Sequence, residues 1–527
     1  MDSMKNRYYY TDLLMHFLKF LGVKHSRKEV EVCILSSEYY PSLLSIVETL
    51  FVYGVESDAI KGDIQTLRSL SNPCIAQLQE NGKTWFVVFV SYSNGIVNIY
   101  DARQHKNITL TEDDIANLWT GIIVIPTSTP PRGKTNQQWN KVFGGIFLIT
   151  VFFVECVWFV PDILLSYLLL CLMGILLSVP LVRQSFGLSN NGVFSDFCKR
   201  GGVIDCESVG HSKLAKIGGV SLAEISLTYF SFRVFLIILG RTIEIDQVLQ
   251  VLALFSLLGL FVAILSVLYQ FTVVKKWCLF CLGIAFVVLL ENCLDLYFIQ
   301  RGCMPTQMID FTASTGIIMS FVFSLTLLFI IRYVLNLEKK KNEDRLKLLK
   351  IQRNTNVLRA IISTSTKAPV NQFQDLTIGN SGADTVVTTL ISPYCPKCAD
   401  VIRIMVNLLN KHPRSILWNI RLDGILESQL SPINMCQYDL YSKLKETRDI
   451  DNQLSLILKW NKSKPNKEFM PPSFYWDEYQ LHISNNQLFS TNKVPTIWLD
   501  DIELSSLIEL ETLSTILFRK DFGVLSL

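Results

Sequence analysis

Charge is scarce through the middle of this 527-residue sequence. Residues 142–338 hold eleven basic and twelve acidic residues, and 247–274 hold none. That scarcity excludes an all-soluble, disordered or fibrous protein. A net charge of +3 gives no reason to expect a nucleic-acid partner, and thirteen cysteines are too few for a disulfide scaffold. The opening residues also lack the apolar run and cleavage site expected of a signal peptide.

What the middle does contain is apolar sequence in six long segments. Each is long enough to cross a hydrocarbon layer of roughly 30 Å as a helix. A buried core helix would explain one such segment, but no soluble domain has an interior that covers six. We therefore expect a polytopic helical membrane region within residues 142–338, with spans near 143–160, 163–182, 218–240, 247–274, 278–299 and 312–335.

Two polar regions flank the membrane region. Residues 1–135 predict a small α+β domain, with helices at 8–21 and 43–53 and strands at 84–90 and 96–100. Residues 372–527 predict strand 384–391, a Cys-x-x-Cys turn, helix 399–409 and strand 493–499, an order typical of the thioredoxin fold. The charged residues 337–353 predict a solvated helical linker between membrane and domain.

The pair Cys395/Cys398 lies where a helix is predicted to begin. Helix N-termini favour thiolates, and a second cysteine one turn along resolves mixed disulfides, so the pair predicts thiol–disulfide exchange. A zinc half-site is the alternative, but the next Cys-x-x-Cys lies far upstream in the membrane, and no metal is expected. Val494 and Pro495 are expected to face the pair and to bind an extended substrate.

A second pair, Cys278/Cys281, opens an apolar segment directly after Trp277 and two lysines. Thiols at a membrane surface can pass electrons to a lipid-soluble acceptor. The loop cysteines Cys198 and Cys206 are predicted to shuttle between the two pairs, with a static disulfide as the alternative. Cys156 and Cys171 are interpreted as small hydrophobic residues.

These features resemble the vitamin K epoxide reductase family over residues 163–335: the Cys198-x7-Cys206 loop, Ser212, Gly218-Gly219 and Trp277-Cys-x-x-Cys281. Residues 372–527 resemble the thioredoxin-like domain fused to bacterial members. The resemblance implies a four-helix core around a quinone of the ubiquinone or menaquinone type. It makes Cys278/Cys281 the active pair, with Cys281 nearest the ring and Ser212, Trp277 and Tyr229 as quinone contacts.

Residues 1–135 resemble the papain-like peptidases that trim leader peptides of exported bacteriocins. The matching segments are 53–54, 73–75, 86–88, 99–101 and 119–121. In that alignment Pro41 occupies the nucleophile position, Trp85 replaces the histidine, and Asp101 alone is retained. Cys33 and Cys74 lie out of register, so we expect a degenerate, non-catalytic, peptide-binding domain.

The side of the membrane is left open by the sequence. Six spans place both polar domains on one side, and flanking lysines and arginines favour the cytoplasm. Disulfide formation and the family resemblance favour the periplasmic face of a bacterial inner membrane. A first segment that does not cross would instead put residues 1–135 on the opposite side.

Together the patterns predict a multi-domain protein: a vitamin K epoxide reductase-like helical membrane bundle between a papain-like α+β domain and a thioredoxin-like α/β domain. The predicted function is a thiol:quinone oxidoreductase that forms disulfide bonds in dithiol proteins or peptides and passes electrons to the membrane quinone pool. The alternative is a peptide-maturation protein whose first domain binds or cleaves a secreted leader peptide.

Overall fold

Three structured parts follow one another along the chain. The computed structural model describes residues 2–23, 25–69, 73–93, 95–104, 106–128, 162–188, 199–200, 204–210, 216–239, 245–300, 310–374, 376–392, 395–424, 432–460, 475–486, 489, 494–505, 508–509 and 512–521. The predicted span 143–160 lies outside these residues.

The N-terminal part is an α+β domain around a six-stranded antiparallel sheet of order β1-β6-β2-β3-β4-β5. Helix α3 begins at Ser42, whose side chain and that of Ser45 form a capping box, and its apolar residues are buried. The helices are α1 (Asp2–Phe20), α2 (Arg27–Ser36), α3 (Leu43–Val52), α4 (Ile64–Ser69) and α5 (Glu112–Leu118). The strands are β1 (Ser57–Lys61), β2 (Cys74–Glu80), β3 (Lys83–Ser93), β4 (Ile96–Asp101), β5 (Lys106–Thr111) and β6 (Trp119–Pro126).

The middle part is a helical bundle. Among the described residues, five helices are long and apolar enough to cross a membrane. They are α6 (Asp162–Ser185), α8 (Leu222–Leu239), α9 (Ile245–Tyr269, extended by the π-helical turn Gln270–Val274), α10 (Leu279–Gln300) and α11 (Phe311–Gln352). The short helix α7 (Cys206–Gly210) and the strand pairs β7 (Lys199–Arg200) with β8 (Ile204–Asp205) and β9 (Lys216–Ile217) with β10 (Val220–Ser221) lie between α6 and α8.

Close contact between α6 and α8 depends on a glycine. A Cβ on Gly174 would lie 2.4 Å from the Phe230 ring, so no larger residue fits there without a shift of the helices. At one end of the bundle, Leu181, Cys206 and Cys278 pack in one buried cluster. We call this end the redox end.

Helix α11 joins the bundle to the soluble part as one continuous helix of 42 residues. The expectation of a solvated linker over 337–353 is wrong at its C-terminal end. Leu349, Gln352 and Arg353 are buried, and Gln352 contacts Thr512 of the C-terminal domain. A helix that continues into a domain core holds that domain at the redox end.

The C-terminal part has a thioredoxin-type sheet of order β11-β13-β12-β14-β15, with β12 and β13 parallel and β14 antiparallel to β12. Helix α13 makes the crossover between the parallel strands. The helices are α12 (Thr355–Thr364), α13 (Pro396–Lys411), α14 (Pro432–Glu446), α15 (Ile450–Trp460), α16 (Trp476–Asn486) and α17 (Leu513–Asp521). The strands are β11 (Thr377–Gly379), β12 (Thr385–Ile391), β13 (Ile416–Leu422), β14 (Thr496–Leu499) and β15 (Ile502–Glu503).

The two soluble domains share one buried apolar core. Arg519 of α17 is fully buried and pairs with Glu48 of α3 at 3.2 Å. The Phe51 ring stacks on His412 at 4.2 Å, and Lys411 Nζ donates to the Val52 carbonyl at 2.8 Å. Domains that share a core lie on the same side of a membrane, so the arrangement with residues 1–135 on the opposite side is wrong.

Candidate functional site

The water-facing cysteine pair lies at the start of α13. Cys395 is the N-cap residue, Pro396 occupies the first helical position, and Cys398 lies within the first turn. Proline at this position loses no helical hydrogen bond, and the unpaired N–H groups of the first turn favour a thiolate. Cys395 is partly exposed, whereas Cys398 is buried.

Strand β14 brings the predicted substrate-binding residues to this pair. The Val494–Pro495 peptide bond is cis and directly precedes β14. The Cys395 thiol lies 3.5 Å from the Val494 carbonyl oxygen. The structure thus brings Cys395, Val494 and Pro495 together, with backbone groups beside the accessible sulfur.

Cys398 has the surroundings of a resolving thiol. The Ser392 N–H points at its sulfur at 3.4 Å, which favours a thiolate, but burial dominates and raises the pKa of Cys398 to about 12. Asp423, which directly follows β13, also raises this pKa, and its own pKa is raised by burial. Asp423 was not among the residues predicted from the sequence; its signal was an acid at the end of the buried strand next to the Cys-x-x-Cys strand.

The membrane pair lies at the start of α10. The Cys278 carbonyl accepts the Leu282 N–H at 3.0 Å, so Cys278 caps the helix, and its sulfur accepts the Cys281 N–H at 3.3 Å. The Cys278 N–H donates to Gln270 Oε1 at 2.8 Å. Gln270 begins the π-helical turn of α9, an irregularity frequent at functional sites, and the sequence analysis did not find it.

The loop cysteine Cys206 packs against the membrane pair. Its thiol is fully buried and interacts with that of Cys278, beside the half-buried Cys281. Cys198 and Ser212 lie outside the described residues. The structure therefore brings together one member of the predicted shuttle pair and both members of the membrane pair.

The surroundings of Cys281 fit an apolar ring. Leu177, Val274 and Ile284 pack against the buried cluster of Leu181, Cys206 and Cys278 at the redox end. The outer surface of the bundle is apolar as well. Trp277 packs near Phe271, with ring centroids 6.2 Å apart. Tyr229 lies deeper, where its hydroxyl donates to Glu291 at 3.0 Å instead of lying at the cysteines.

The N-terminal domain has a different set of groups where its peptidase relatives are catalytic. Asp101 is buried and binds Arg103 through Nη2 at 2.7 Å. The Arg103 guanidinium in turn lies 3.7 Å from the centre of the Trp85 ring. An arginine stacked on tryptophan thus stands where the sequence resemblance expects a histidine held by an acid.

The other candidate nucleophiles of this domain are core residues. Cys74 is fully buried in the sheet, and burial raises its pKa to about 12. Cys33 is buried beside Arg353, and burial likewise raises its pKa. Neither is an accessible thiolate. Within the described ranges no group of His, Cys, Asp or Glu side chains is arranged to hold a metal ion.

Fold and site together define a multi-pass membrane thiol oxidoreductase, with a thioredoxin-type pair in water and a second pair at the membrane. Two family models match the chain. Residues 165–296 match the vitamin K epoxide reductase family, and residues 18–131 match the peptidase C39 family. Both resemblances expected from the motifs are confirmed.

No curated protein matches the chain. Solved structures that are similar to parts of it include the following three. A double-glycine motif protease from an AMS/PCAT transporter, in complex with the leader peptide, is 20% identical over 23% of this chain and 86% of its own, with a TM-score of 0.21. Oxidised BdbD from Bacillus subtilis is 11% identical over 30% of this chain and 96% of its own, with a TM-score of 0.24. The thiol-disulfide exchange protein alpha-DsbA2 from Wolbachia pipientis is 12% identical over 29% of this chain and 94% of its own, with a TM-score of 0.22.

Proposed function

We propose that the protein is a quinone-linked thiol oxidase that forms disulfide bonds in dithiol proteins or peptides. Electrons pass from the substrate to Cys395/Cys398, then to Cys198/Cys206, then to Cys278/Cys281 and finally to a quinone. One observation carries this proposal: the Cys206 thiol is buried against Cys278, in contact with a pair that opens a membrane helix.

The first exchange takes place at the oxidised Cys395–Cys398 pair. A substrate thiolate attacks the accessible Cys395 sulfur, and Cys398 leaves as a thiolate that takes up a proton. A second substrate thiol then displaces Cys395, so that the substrate becomes a disulfide and the pair a dithiol. The Val494 carbonyl next to Cys395 offers a backbone partner for an extended substrate chain.

The second exchange takes place at the membrane surface. The Cys198–Cys206 disulfide takes two electrons from the reduced Cys395/Cys398 pair. The Cys206 thiolate then attacks Cys278 of the oxidised Cys278–Cys281 pair, and Cys281 is released as a thiolate. Attack by Cys198 on Cys206 restores the loop disulfide and leaves Cys278 as a thiol. A quinone held at Cys281 supplies the acceptor, since it takes two electrons and two protons to become a quinol.

The proposed function also suggests on which side of the membrane the soluble domains lie and which task each part of the chain performs. Disulfide formation suits the periplasmic side of a bacterial inner membrane, so we place both soluble domains there. The functional units are residues 1–135 for peptide recognition, 142–338 for quinone reduction and 372–527 for thiol exchange.

A trapping experiment tests the relay. In Cys198→Ala the mixed disulfide between Cys206 and Cys278 cannot be resolved, so it should accumulate during turnover with a reduced protein substrate. Mass spectrometry of non-reduced peptides identifies the bond, and Cys293→Ala, which removes an exposed thiol from the same helix as Cys281, is the control. Continued quinol formation in Cys198→Ala without this species would refute the relay.

A second role is favoured by the N-terminal domain. Near the Pro41 position, a groove of about 490 Å³ is lined mainly by the apolar residues Leu43, Leu44, Val47, Ala59 and Ile60, with Ser57 and Asp58 among them. A largely apolar groove on a domain with Pro41 and Trp85 at the expected nucleophile and histidine positions suits capture of a peptide rather than its cleavage. We propose that it binds the apolar leader of a secreted peptide that carries paired cysteines.

Binding of fluorescent leader-type peptides to the full chain in detergent tests this role. Leu44→Asp should weaken binding at least about tenfold, because a charge placed in an apolar groove is costly. Ile96→Asp, at an exposed apolar position on β4, is the matched control and should bind as the wild type does. Equal binding by both variants, or cleavage of the peptide, would contradict it.

A further inference from the structure

Ionisable side chains meet inside the bundle, away from both cysteine pairs. We call them the intramembrane cluster. Its members come from four helices: Tyr167 and Cys171 on α6, Tyr229 and Arg233 on α8, Ser256 on α9, and Glu291 and Asp295 on α10. Arg233 and Glu291 are fully buried. Such residues are rare within membrane spans and mark functional pathways there.

Hydrogen bonds connect the cluster around its two acids. At Glu291, the Tyr229 hydroxyl donates to Oε2 at 3.0 Å and the Cys171 thiol donates to Oε1 at 3.4 Å. Arg233 Nη1 donates to the Tyr229 oxygen at 2.6 Å and lies 3.3 Å from Glu291 Oε2.

One turn further along α10, Asp295 forms the second centre. The Tyr167 hydroxyl donates to its Oδ1 at 2.6 Å, and Ser256 Oγ donates to its Oδ2. Glu291 and Asp295 are four residues apart and so lie on the same face of α10, which makes the two hydrogen-bonded centres neighbours.

The charges of the cluster do not balance when both acids are ionised. It holds one guanidinium and two carboxyl groups, and an uncompensated charge buried in this way is costly. One carboxyl of the two therefore keeps its proton. A protonated carboxyl that is hydrogen-bonded to hydroxyl groups can give up its proton and take up another.

Arg233 gives an independent sign that the cluster holds a further group. Its Nε and Nη2 atoms are buried and have no hydrogen-bond partner among the described residues. Buried donors are nearly always satisfied, so these two point to an oxygen acceptor, such as water, that enters the cluster.

The position of the cluster along the bundle axis shows which membrane surface it lies nearer to. Asp295 and Tyr167 lie five residues from the helix ends Gln300 and Asp162, about 8 Å at the rise of an α-helix, and these ends are opposite the redox end. Glu291 is about 14 Å from Gln300 and about 15 Å from Cys281. The cluster therefore extends from near the opposite surface to the middle of the bundle.

We propose that the intramembrane cluster conducts protons from the surface opposite the soluble domains toward the electron acceptor at Cys281. This inference rests on the proposed quinone reduction. Oxidation of Cys278 and Cys281 to a disulfide releases two electrons and two protons, and a quinone takes up two of each. One of the quinone's protons comes from the cluster by way of Glu291 and is replaced through Asp295 and Tyr167. Of the two thiol protons, one passes to the quinone and the other leaves to water at the redox end.

Charge movement during turnover tests the proposal. The full chain is placed in sealed vesicles with a short-chain quinone, and a reduced protein dithiol too large to cross the bilayer is added outside. Only molecules with their soluble domains outside are turned over. In the wild type, a potential-sensitive dye should report an interior that becomes negative as quinol forms.

Glu291→Gln should lower quinol formation at least about tenfold and leave the residual turnover without charge movement. Glu338→Gln removes a carboxylate paired with Arg183 outside the cluster and should retain both signals. If Glu291→Gln does not fold, Tyr229→Phe removes only the hydroxyl that joins Arg233 to Glu291 and should reduce the dye signal per quinol.

Wild-type quinol formation without charge movement would overturn the proton pathway while the thiol oxidase stands. Charge movement that is unchanged in both Glu291→Gln and Tyr229→Phe would overturn it as well. Absence of any quinol formation would instead contradict the proposed function itself.

Discussion

The two Cys-x-x-Cys pairs are built alike but differ in which of their two cysteines is the more accessible. Each lies at the start of a helix, Cys395/Cys398 on α13 and Cys278/Cys281 on α10. In the water-facing pair the first cysteine is accessible and the second is buried. In the membrane pair the first cysteine is buried and the second is half-buried.

This difference fits the separate partners proposed for the two pairs. Cys395 is accessible from the side of the Val494 carbonyl, where a polypeptide can bind. Cys281 is accessible within an apolar cluster, and Cys278 is already in contact with a third thiol, Cys206. The same spacing thus supports exchange with a protein at one site and with a small apolar acceptor at the other.

The largest effect is expected when the accessible cysteine of one pair is removed. Cys281→Ala should lower quinol formation by more than about a thousandfold, because Cys281 is the half-buried sulfur of the apolar cluster and the one proposed to reach the acceptor. Its Cys395/Cys398 pair should still oxidise one equivalent of substrate. Cys395→Ala should show the reverse, with no oxidation of protein substrates but quinone reduction by a small dithiol retained.

Quinone absorbance measures quinol formation, and mass spectrometry of the substrate measures its oxidation, so the two activities are followed separately. Cys293→Ala should match the wild type in both assays. Equal loss of both activities in Cys281→Ala and Cys395→Ala would mean that the pairs do not have separate partners.

The sequence was sufficient for the pairs themselves and for the folds that hold them. Helix and strand periodicity located α3, β3, β4 and α13, and the family models confirm the two resemblances. Spacing alone also led to the prediction of which cysteines form pairs, and that pairing stays a prediction. These features are local in sequence, and each has a signature within a few residues.

What the sequence could not predict depends on contacts between distant residues. Arg519 and Glu48 meet across two domains, although 471 positions separate them. The contacts of Tyr229 with Arg233 and Glu291 were likewise not predicted. Such pairings follow from the packing of helices and carry no local pattern.

A smaller effect is expected at the water-facing pair alone. Since the pKa of Cys398 is about 12, little thiolate is present near pH 7, and its attack on a mixed disulfide needs a base. Asp423 is the neighbouring acid, with a raised pKa, and is ionised above it. Asp423→Asn should slow release of the mixed disulfide at pH 7 by roughly a hundredfold, the lower end for general bases.

The rate of mixed-disulfide release should depend on pH differently with and without Asp423. Without a base, the rate should rise about tenfold per pH unit from pH 7 to 10, as the thiolate fraction of Cys398 grows toward its pKa. The wild type should rise less steeply, because Asp423 already accepts the proton. Stopped-flow release of a chromogenic thiol from Cys395 measures both profiles, and superimposable profiles would exclude Asp423 as the base. Quinol formation by a small dithiol should be the same in both proteins.

The smallest effect is expected at the membrane pair, from a residue that touches no sulfur. Gln270→Leu removes the acceptor of the Cys278 N–H and leaves that buried donor unsatisfied, which costs about 1–3 kcal/mol. Because Gln270 fixes the turn that presents Cys278 to Cys206, the loss should appear as an about tenfold slower reduction of the membrane pair, with substrate oxidation at Cys395 unchanged. Gln250→Leu on the same helix is the control, and rapid-quench alkylation of Cys281 follows the reduction. If Gln270→Leu slows exchange at Cys395 equally, the turn acts on the stability of the whole chain and the two pairs are not positioned independently.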